Sequence, residues 1–312
     1  MSETSSRIIV AVGVEDVEAM MSFAAEEAVG TGAALHLVHV LYLPGVMLPE
    51  TYAAAYDSAT TFGAALLEKA TQVATDLVDG RVNVTSELVE HSGSAVHDIV
   101  ARSHGARLVV LQHRHLEGLQ RFATRSTALG VAARAHAPVV SVPEGWRSTG
   151  PRFGRVTVGV SNPQRADGVL RAGYEIARHR HSTLRVAHSW WLANGYDTVV
   201  VDDDMRSDFS QRFGKEIAPH LEPLQKEFPD VEVDVRVTHA PPAMGLLDAT
   251  RDADVLVLGR RHWALPVGSH VGAVTRTMLH SATCPAVIVE TTPTDTKATE
   301  PGGLGRQVQV IL

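Results

Sequence analysis

Cysteine is almost missing from this chain: its 312 residues include one, Cys284. No disulfide can close within it and no Cys-x-x-Cys pair exists, which excludes thiol redox chemistry and cysteine-rich zinc sites. Cys284 adjoins an apolar run, where an inert buried thiol is expected. Aromatics are scarce at 5%, so the core must be built from Val, Leu, Ile and Ala. No apolar stretch approaches the ~20 residues of a membrane span, and no basic leader with an apolar run and cleavage site is found. The cytoplasm is the expected compartment, with no membrane partner. An excess of positive charge is also lacking. The net charge of −7 argues against nucleic acid as a partner. Gly-x-x-x-x-Gly-Lys-Ser/Thr, Gly-x-Gly-x-x-Gly and His-Glu-x-x-His are all absent, which removes the commonest phosphate, dinucleotide and zinc-protease readings.

What the chain does contain is nearly the same text twice. LHLVHV at 35–40 returns as LRVAHS at 184–189, ARLVVLQ at 106–112 as ADVLVLG at 253–259, and HAPVVSV at 136–142 as TCPAVIV at 283–289. Three segments in the same order, offset by 149, 147 and 147 residues, indicate a duplicated domain. Solenoid repeats, at roughly 20–50 residues, are far shorter. Each half is long enough to bury its own core. The expected division is 1–146 and 152–290. The Gly-, Pro- and Ser-rich stretch Gly145 to Gly154 serves as linker, and 291–312 is a Thr/Pro/Gly-rich tail expected to be disordered.

Each half reads as alternating strands and helices. In the first, Ile8–Val12, Leu35–Leu41, Val82–Val89, Leu108–Leu111 and Val139–Val142 are strands. Helices fill Ala19–Val29, Tyr52–Val78, Val96–Arg102 and Thr124–Ala135. In the second, Val156–Val160, Leu184–His188, Val231–Val237, Val255–Leu258 and Ala286–Val289 are strands, with helices over Gly168–Arg178, Asp208–Phe228, Ala243–Thr250 and Val271–His280. The compact apolar runs suit strands buried on both faces. Strand–helix alternation of this length gives right-handed crossovers and a five-stranded parallel sheet flanked by helices in each half: an α/β fold, used twice.

In such a sheet the ligand crevice lies beyond the carboxyl ends of the strands, where strand order reverses. That places it at the turns after the first and fourth strands: in the second half, after Gly159-Val160-Ser161 and at Gly259-Arg260-Arg261-His262. Glycines there admit a ligand to the backbone, and the N–H groups opening the next helix can hold phosphate.

These features resemble the universal stress protein family, across residues 7–143 and 155–290. The resemblance implies two tandem Rossmann-like domains of the adenine nucleotide alpha hydrolase-like type. It also implies a Gly-x-x-Gly, nine residues, Gly-Ser/Thr loop around the ribose and phosphates of ATP, and an Asp ending the first strand. The second half keeps Gly259, has His262 where Gly is expected, then nine residues on has Gly272-Ala273, with Thr275 near enough to supply the missing hydroxyl. Ser161 stands in the Asp position. Arg260 and Arg261 would compensate by pairing with phosphate. The first half keeps only the spacing, as Gln112, His115 and Arg125-Ser126, with Gly13 in the Asp position. Side chains at these positions crowd the space where phosphates meet backbone, so this loop is degenerate.

Other constellations favour plainer readings. Gly159-Val-Ser161 lacks the second glycine of a nucleophile elbow, because Pro163 stands there. His113-Arg114-His115 has no carboxylate pair nearby to make a metal site. His39 and His188, equivalent by duplication, read as core or rim histidines. Asp202-Asp203-Asp204 reads as a helix start, and Trp190-Trp191 as packing.

The function implied by the resemblance is a cytoplasmic stress-response protein. It would bind ATP or a related adenine nucleotide through its second half, with Mg²⁺ only alongside the nucleotide, and act through protein partners not yet identified. Such a protein is not an enzyme, or at most a slow ATPase. The halves would pair through their last strands as an internal pseudo-dimer, and chains would pair again as a homodimer. The alternative is a tandem scaffold whose pockets have decayed and bind no nucleotide.

Overall fold

A computed structural model describes residues 7–14, 17–41, 49–90, 94–113, 127–150, 152–192, 197–261 and 271–291. The tail expectation for 291–312 therefore falls, beyond residue 291, outside the described residues. The chain divides into two compact units, Met1–Gly150 and Pro151–Leu312.

Unit 1 runs β1 (Arg7–Ala11), α1 (Glu18–Thr31), β2 (Ala34–Val40), α2 (Pro49–Val78), β3 (Val84–Val89), α3 (Ala95–Arg102), β4 (Ala106–His113), α4 (Thr127–Ala132) and β5 (Val139–Pro143). Unit 2 runs β6 (Arg155–Gly159), α5 (Asp167–His179), β7 (Thr183–Trp190), α6 (Asp197–Val200), α7 (Asp203–Glu227), β8 (Val233–His239), α8 (Pro242–Ala249), β9 (Val255–Arg261), α9 (Ala273–Ser281) and β10 (Ala286–Thr291). Within unit 1 the strands lie in the order β3-β2-β1-β4-β5, and within unit 2 as β8-β7-β6-β9-β10. Every one of these neighbouring pairs is parallel.

The registers explain the apolar runs. Ile8 faces Leu35 on one side and Leu108 on the other, and Val158 faces Val186 and Val257. Ile8, Ile9, Val10, Val156, Thr157 and Val158 have no exposed surface. A parallel strand covered by helices on both faces needs apolar residues at successive positions rather than alternate ones.

Helix α7 begins at Asp203 rather than near Asp208, because the Asp202 side chain caps it by accepting from the Met205 N–H at 2.8 Å. That satisfies one of the four orphan donors of the first turn. The acidic triplet is a capped helix start, as the sequence suggests. Phe213, Ile217, Leu221 and Leu224 form its buried stripe. Helix α6 was not expected. It depends on tertiary bonds, with Asp197 Oδ1 accepting from the Leu192 N–H at 2.8 Å and meeting His239 Nε2 at 3.0 Å. Burial opposes ionisation of Asp197, but the bonds from His239 and Leu192 outweigh it and hold the carboxyl below its ordinary value.

Two groups carry stability predictions. Tyr174 of α5 is completely buried against Phe228, ring centroids 5.4 Å apart. Its hydroxyl has no hydrogen-bond partner among the described residues, and burial pushes its pKa up to about 12. A buried unsatisfied hydroxyl costs about 1–3 kcal/mol, so Tyr174→Phe is expected to raise the urea midpoint. A fall would reveal a partner for the hydroxyl. Arg102 grips Glu87 with two bonds, at 2.6 and 3.0 Å, and His36 adds a third contact at 3.2 Å. The bond from Arg102 is the largest cause holding the Glu87 carboxyl down, to about 2 from 4.5. A depressed carboxyl stabilises the fold above its unfolded value, and that contribution fades as pH falls toward 2. The Glu87 side chain keeps 39% exposure, so the expected loss in Glu87→Gln is about 1 kcal/mol or less at pH 7. Urea unfolding of both proteins from pH 7 to 2.5 should show the difference shrinking below pH 4.5; a constant difference would rule out the charge as its source.

Candidate functional site

The predicted crevice of unit 2 is present, as a hollow of about 220 Å³ beyond the carboxyl ends of β6 and β9. The chain leaves β6 at Gly159 and is held in place at once. The Val160 N–H donates to Ala187 O at 2.9 Å, while Val160 O meets His188 Nδ1 at 2.8 Å. Asn162 Oδ1 then accepts from the Gln164 N–H at 3.0 Å, closing a single 3₁₀ turn over Pro163–Arg165. On the other wall, Gly272 opens α9 in an extended conformation with no side-chain cap. The first N–H groups of that helix are therefore left to a ligand or solvent.

Five of the expected site residues meet in this hollow: Gly159, Ser161, Gly259, Gly272 and Thr275. Thr275 is buried, and its hydroxyl has no hydrogen-bond partner among the described residues. The apolar part of the wall is Val169, Leu246, Leu258 and Val274. No carboxylate lines the hollow among the described residues, so it supplies neither a general base nor a cation ligand of its own.

Two expectations need correction. Arg260 does not reach the hollow. Alternation along β9 sends it to the face opposite Gly259, where it is buried and its guanidinium lies 3.4 Å from Glu290. Burial lowers its pKa against the opposing pull of Glu290. Ala273 is exposed on the first turn of α9 and is not part of the wall. Arg261 ends β9, and His262 lies outside the described residues, as do His115, Arg125 and Ser126 of the first half. The glycines also have a different local reason from the one expected. A Cβ on Gly159 would lie 2.5 Å from Leu258 Cδ2 and 3.2 Å from Leu246 Cδ2, and one on Gly259 would lie 2.6 Å from Thr291 Cγ2. Both glycines let neighbouring side chains close the floor of the hollow.

The residue that sequence reasoning missed is Arg165. It lines the hollow, is exposed and has no carboxylate partner among the described residues. The signal was available in Asn162-Pro163, a pair that caps and starts a short turn and so projects the residue two places on over the crevice.

The other constellations have ordinary structural surroundings. His39 and His188 each turn Nδ1 to a backbone carbonyl, of Val12 and Val160, both at 2.8 Å. His188, whose pKa burial lowers, stacks on Phe213 at 4.1 Å. Trp190 is buried against Phe209 at 3.9 Å and His239 at 4.5 Å, whereas Trp191, also expected to pack, is exposed. His113 is buried with Nδ1 2.9 Å from Ser141 Oγ. Among the described residues no cluster of three His, Cys, Asp or Glu is placed to hold a metal, and no helix is long and apolar enough to cross a membrane. Cys284 is buried, and burial raises its pKa to about 12, leaving an inert thiol.

An open parallel sheet whose strand order reverses beside a crevice defines an α/β fold of Rossmann-like type, present twice; in unit 2 that crevice is glycine-floored and faced by a helix N-terminus. The chain matches the universal stress protein family over residues 4–143 and again over 152–290, and it belongs to that family. It is 23% identical over 294 residues to a universal stress protein of Mycolicibacterium smegmatis, covering 93% of this chain and 99% of that one. A Mycobacterium tuberculosis universal stress protein is 26% identical over 300 residues, covering 92% and 99%. A crystal structure of a universal stress protein from Archaeoglobus fulgidus shares the fold, with a TM-score of 0.63 at 14% identity over 93% of this chain and 97% of that one.

The packing argument yields a direct test. Leu258 and Leu246 are both buried and have little room to yield to a new Cβ. Gly159→Ala is expected to destabilise by about 1–3 kcal/mol, read as a lower urea midpoint. An unchanged midpoint would mean that the two leucines are free to move.

Proposed function

We propose that this stress protein binds ATP or a related adenine nucleotide in the unit 2 crevice and conveys its occupancy to protein partners, without catalysing a reaction of its own. The carrying observation is the convergence of Ser161, Thr275, the uncapped start of α9 and Arg165 around one hollow with an apolar wall. The apolar residues suit a base, the two hydroxyls suit ribose oxygens, and the helix N-terminus with Arg165 suits phosphate. With no carboxylate among the described residues of the wall, Mg²⁺ enters only on the phosphates. One measurement favours a second reading. A volume of about 220 Å³ lies below the usual range of roughly 300–1,000 Å³ for small-molecule sites, as it would in a scaffold whose pocket has closed.

Calorimetric titration of ATP–Mg²⁺ into the full chain separates the two. Binding near one site per chain is expected, abolished by Gly272→Trp and weakened roughly tenfold by Arg165→Ala, the loss of one charge-assisted phosphate contact. Adenosine should lose nothing in the Arg165→Ala protein. Absence of heat and of thermal shift at millimolar ATP would leave the scaffold reading in its place.

A further inference from the structure

Unit 1 has a crevice at the corresponding place, beyond β1 and β4, and its chemistry is different. Its volume is about 480 Å³, within the range of small-molecule sites. Val12, Val17, Met20, Leu41, Ile99 and Leu111 wall it, and all six are buried. Val14 and Phe62 also line it, yet are 62% and 57% exposed. Exposed apolar side chains around an apolar hollow mark a surface that something covers. No Lys, Arg, Asp or Glu lines it among the described residues, so a charged ligand would be desolvated there with no side-chain counter-charge to meet it.

Three polar side chains line this hollow, His39, Gln112 and the exposed Thr127, and His39 is the one that is buried with a free ring nitrogen. Its side chain is 8% exposed, and its Nδ1 lies 2.8 Å from the Val12 carbonyl oxygen. A carbonyl oxygen only accepts, so Nδ1 carries the hydrogen, and Nε2 of the neutral ring is a bare acceptor. No hydrogen bond to Nε2 forms among the described residues. Gln112 also lines the hollow, and both of its amide atoms are buried with no hydrogen-bond partner among the described residues. In unit 2 the equivalent ring of His188 stacks on Phe213 and takes no part in the crevice wall.

We propose that the unit 1 crevice binds a small, neutral, largely apolar molecule carrying one hydroxyl donor, of the phenol or alcohol class. Its hydroxyl donates to His39 Nε2, and its apolar body packs between Met20, Leu41, Phe62 and Ile99. This site is independent of nucleotide binding in unit 2.

The test uses the full chain and two probes of equal shape, 2-naphthol and naphthalene, followed by fluorescence titration. 2-Naphthol is expected to bind about tenfold more tightly, the size of one net hydrogen bond. His39→Phe should abolish that preference while leaving naphthalene binding in place. Ala95→Trp, at a half-buried lining position on α3, should weaken both probes with the far-UV spectrum unchanged. Saturating ATP should leave both affinities as they were. Failure of both probes to bind up to their solubility limits, equal affinities for the two in the unaltered chain, or binding indifferent to Ala95→Trp would each overturn the proposal. If His39→Phe does not fold, the probe pair and Ala95→Trp decide alone.

Discussion

The crevices of both units depend on one constraint: a central strand hydrogen-bonded to parallel neighbours on both sides. β1 lies between β2 and β4, and β6 between β7 and β9. The chain leaves the central strand toward one side and returns on the other. Right-handed crossovers then place the intervening helices on opposite faces of the sheet. The carboxyl ends of the two strands at this switch point are left uncovered between them. The requirement is met by residues with no exposed surface, Ile8 to Val10 in one unit and Val156 to Val158 in the other. A polar residue at most of these positions would have to find a partner inside the sheet. Thr157 has none for its hydroxyl among the described residues, a local cost carried by the surrounding packing.

A second shared device then fixes the first loop. The histidines of β2 and β7 each reach back to the carbonyl just past the central strand, at the same 2.8 Å. That bond ties loop to strand and sets the imidazole tautomer in both units. What differs is the next layer out. Phe213 covers His188 in unit 2, whereas His39 lines an open hollow in unit 1. Duplication preserved the tether while the neighbour over the ring changed.

Much of this was legible in the sequence, for identifiable reasons. Strands buried on both faces leave unbroken apolar runs, so six of the ten strands could be placed from 35–40, 106–112, 136–142 and their repeats, and the other four from 8–12, 82–89, 156–160 and 231–237. The switch point follows from strand alternation, which pointed to Gly159, Ser161 and Gly259, and the resemblance to the universal stress protein loop added Gly272 and Thr275; all five line one hollow. What escaped depends on geometry that no short segment contains. Helix α6 exists through bonds from Asp197 to Leu192 and His239, the latter 42 residues away. Arg260 was misplaced because its charge was weighed without the parity of β9: if Gly259 faces the crevice, its neighbour cannot. Arg165 went unseen because a three-residue turn leaves no periodic trace.

Charge placement gives the two crevices their separate characters. In a chain with a net charge of −7, an anionic ligand is repelled over long range and must be met by local cations and N–H groups. Many of the arginines are already committed within the fold: Arg102 to Glu87, Arg155 and Arg185 to Asp252, Arg171 to Glu227, and Arg260 to Glu290. Arg165 differs. It stands on the crevice wall with no carboxylate partner among the described residues, across from an uncapped helix start. Unit 1 has no cation on its described wall: the start of α3 at Ala95, also without a side-chain cap, meets apolar surface and an imidazole there. An anion gains from the first arrangement and is penalised by the second, and a neutral apolar molecule has the opposite preference. The same backbone crevice, built twice, therefore presents two chemistries, and the side chains at 39, 165 and 275 separate them more sharply than the glycines that define the loop.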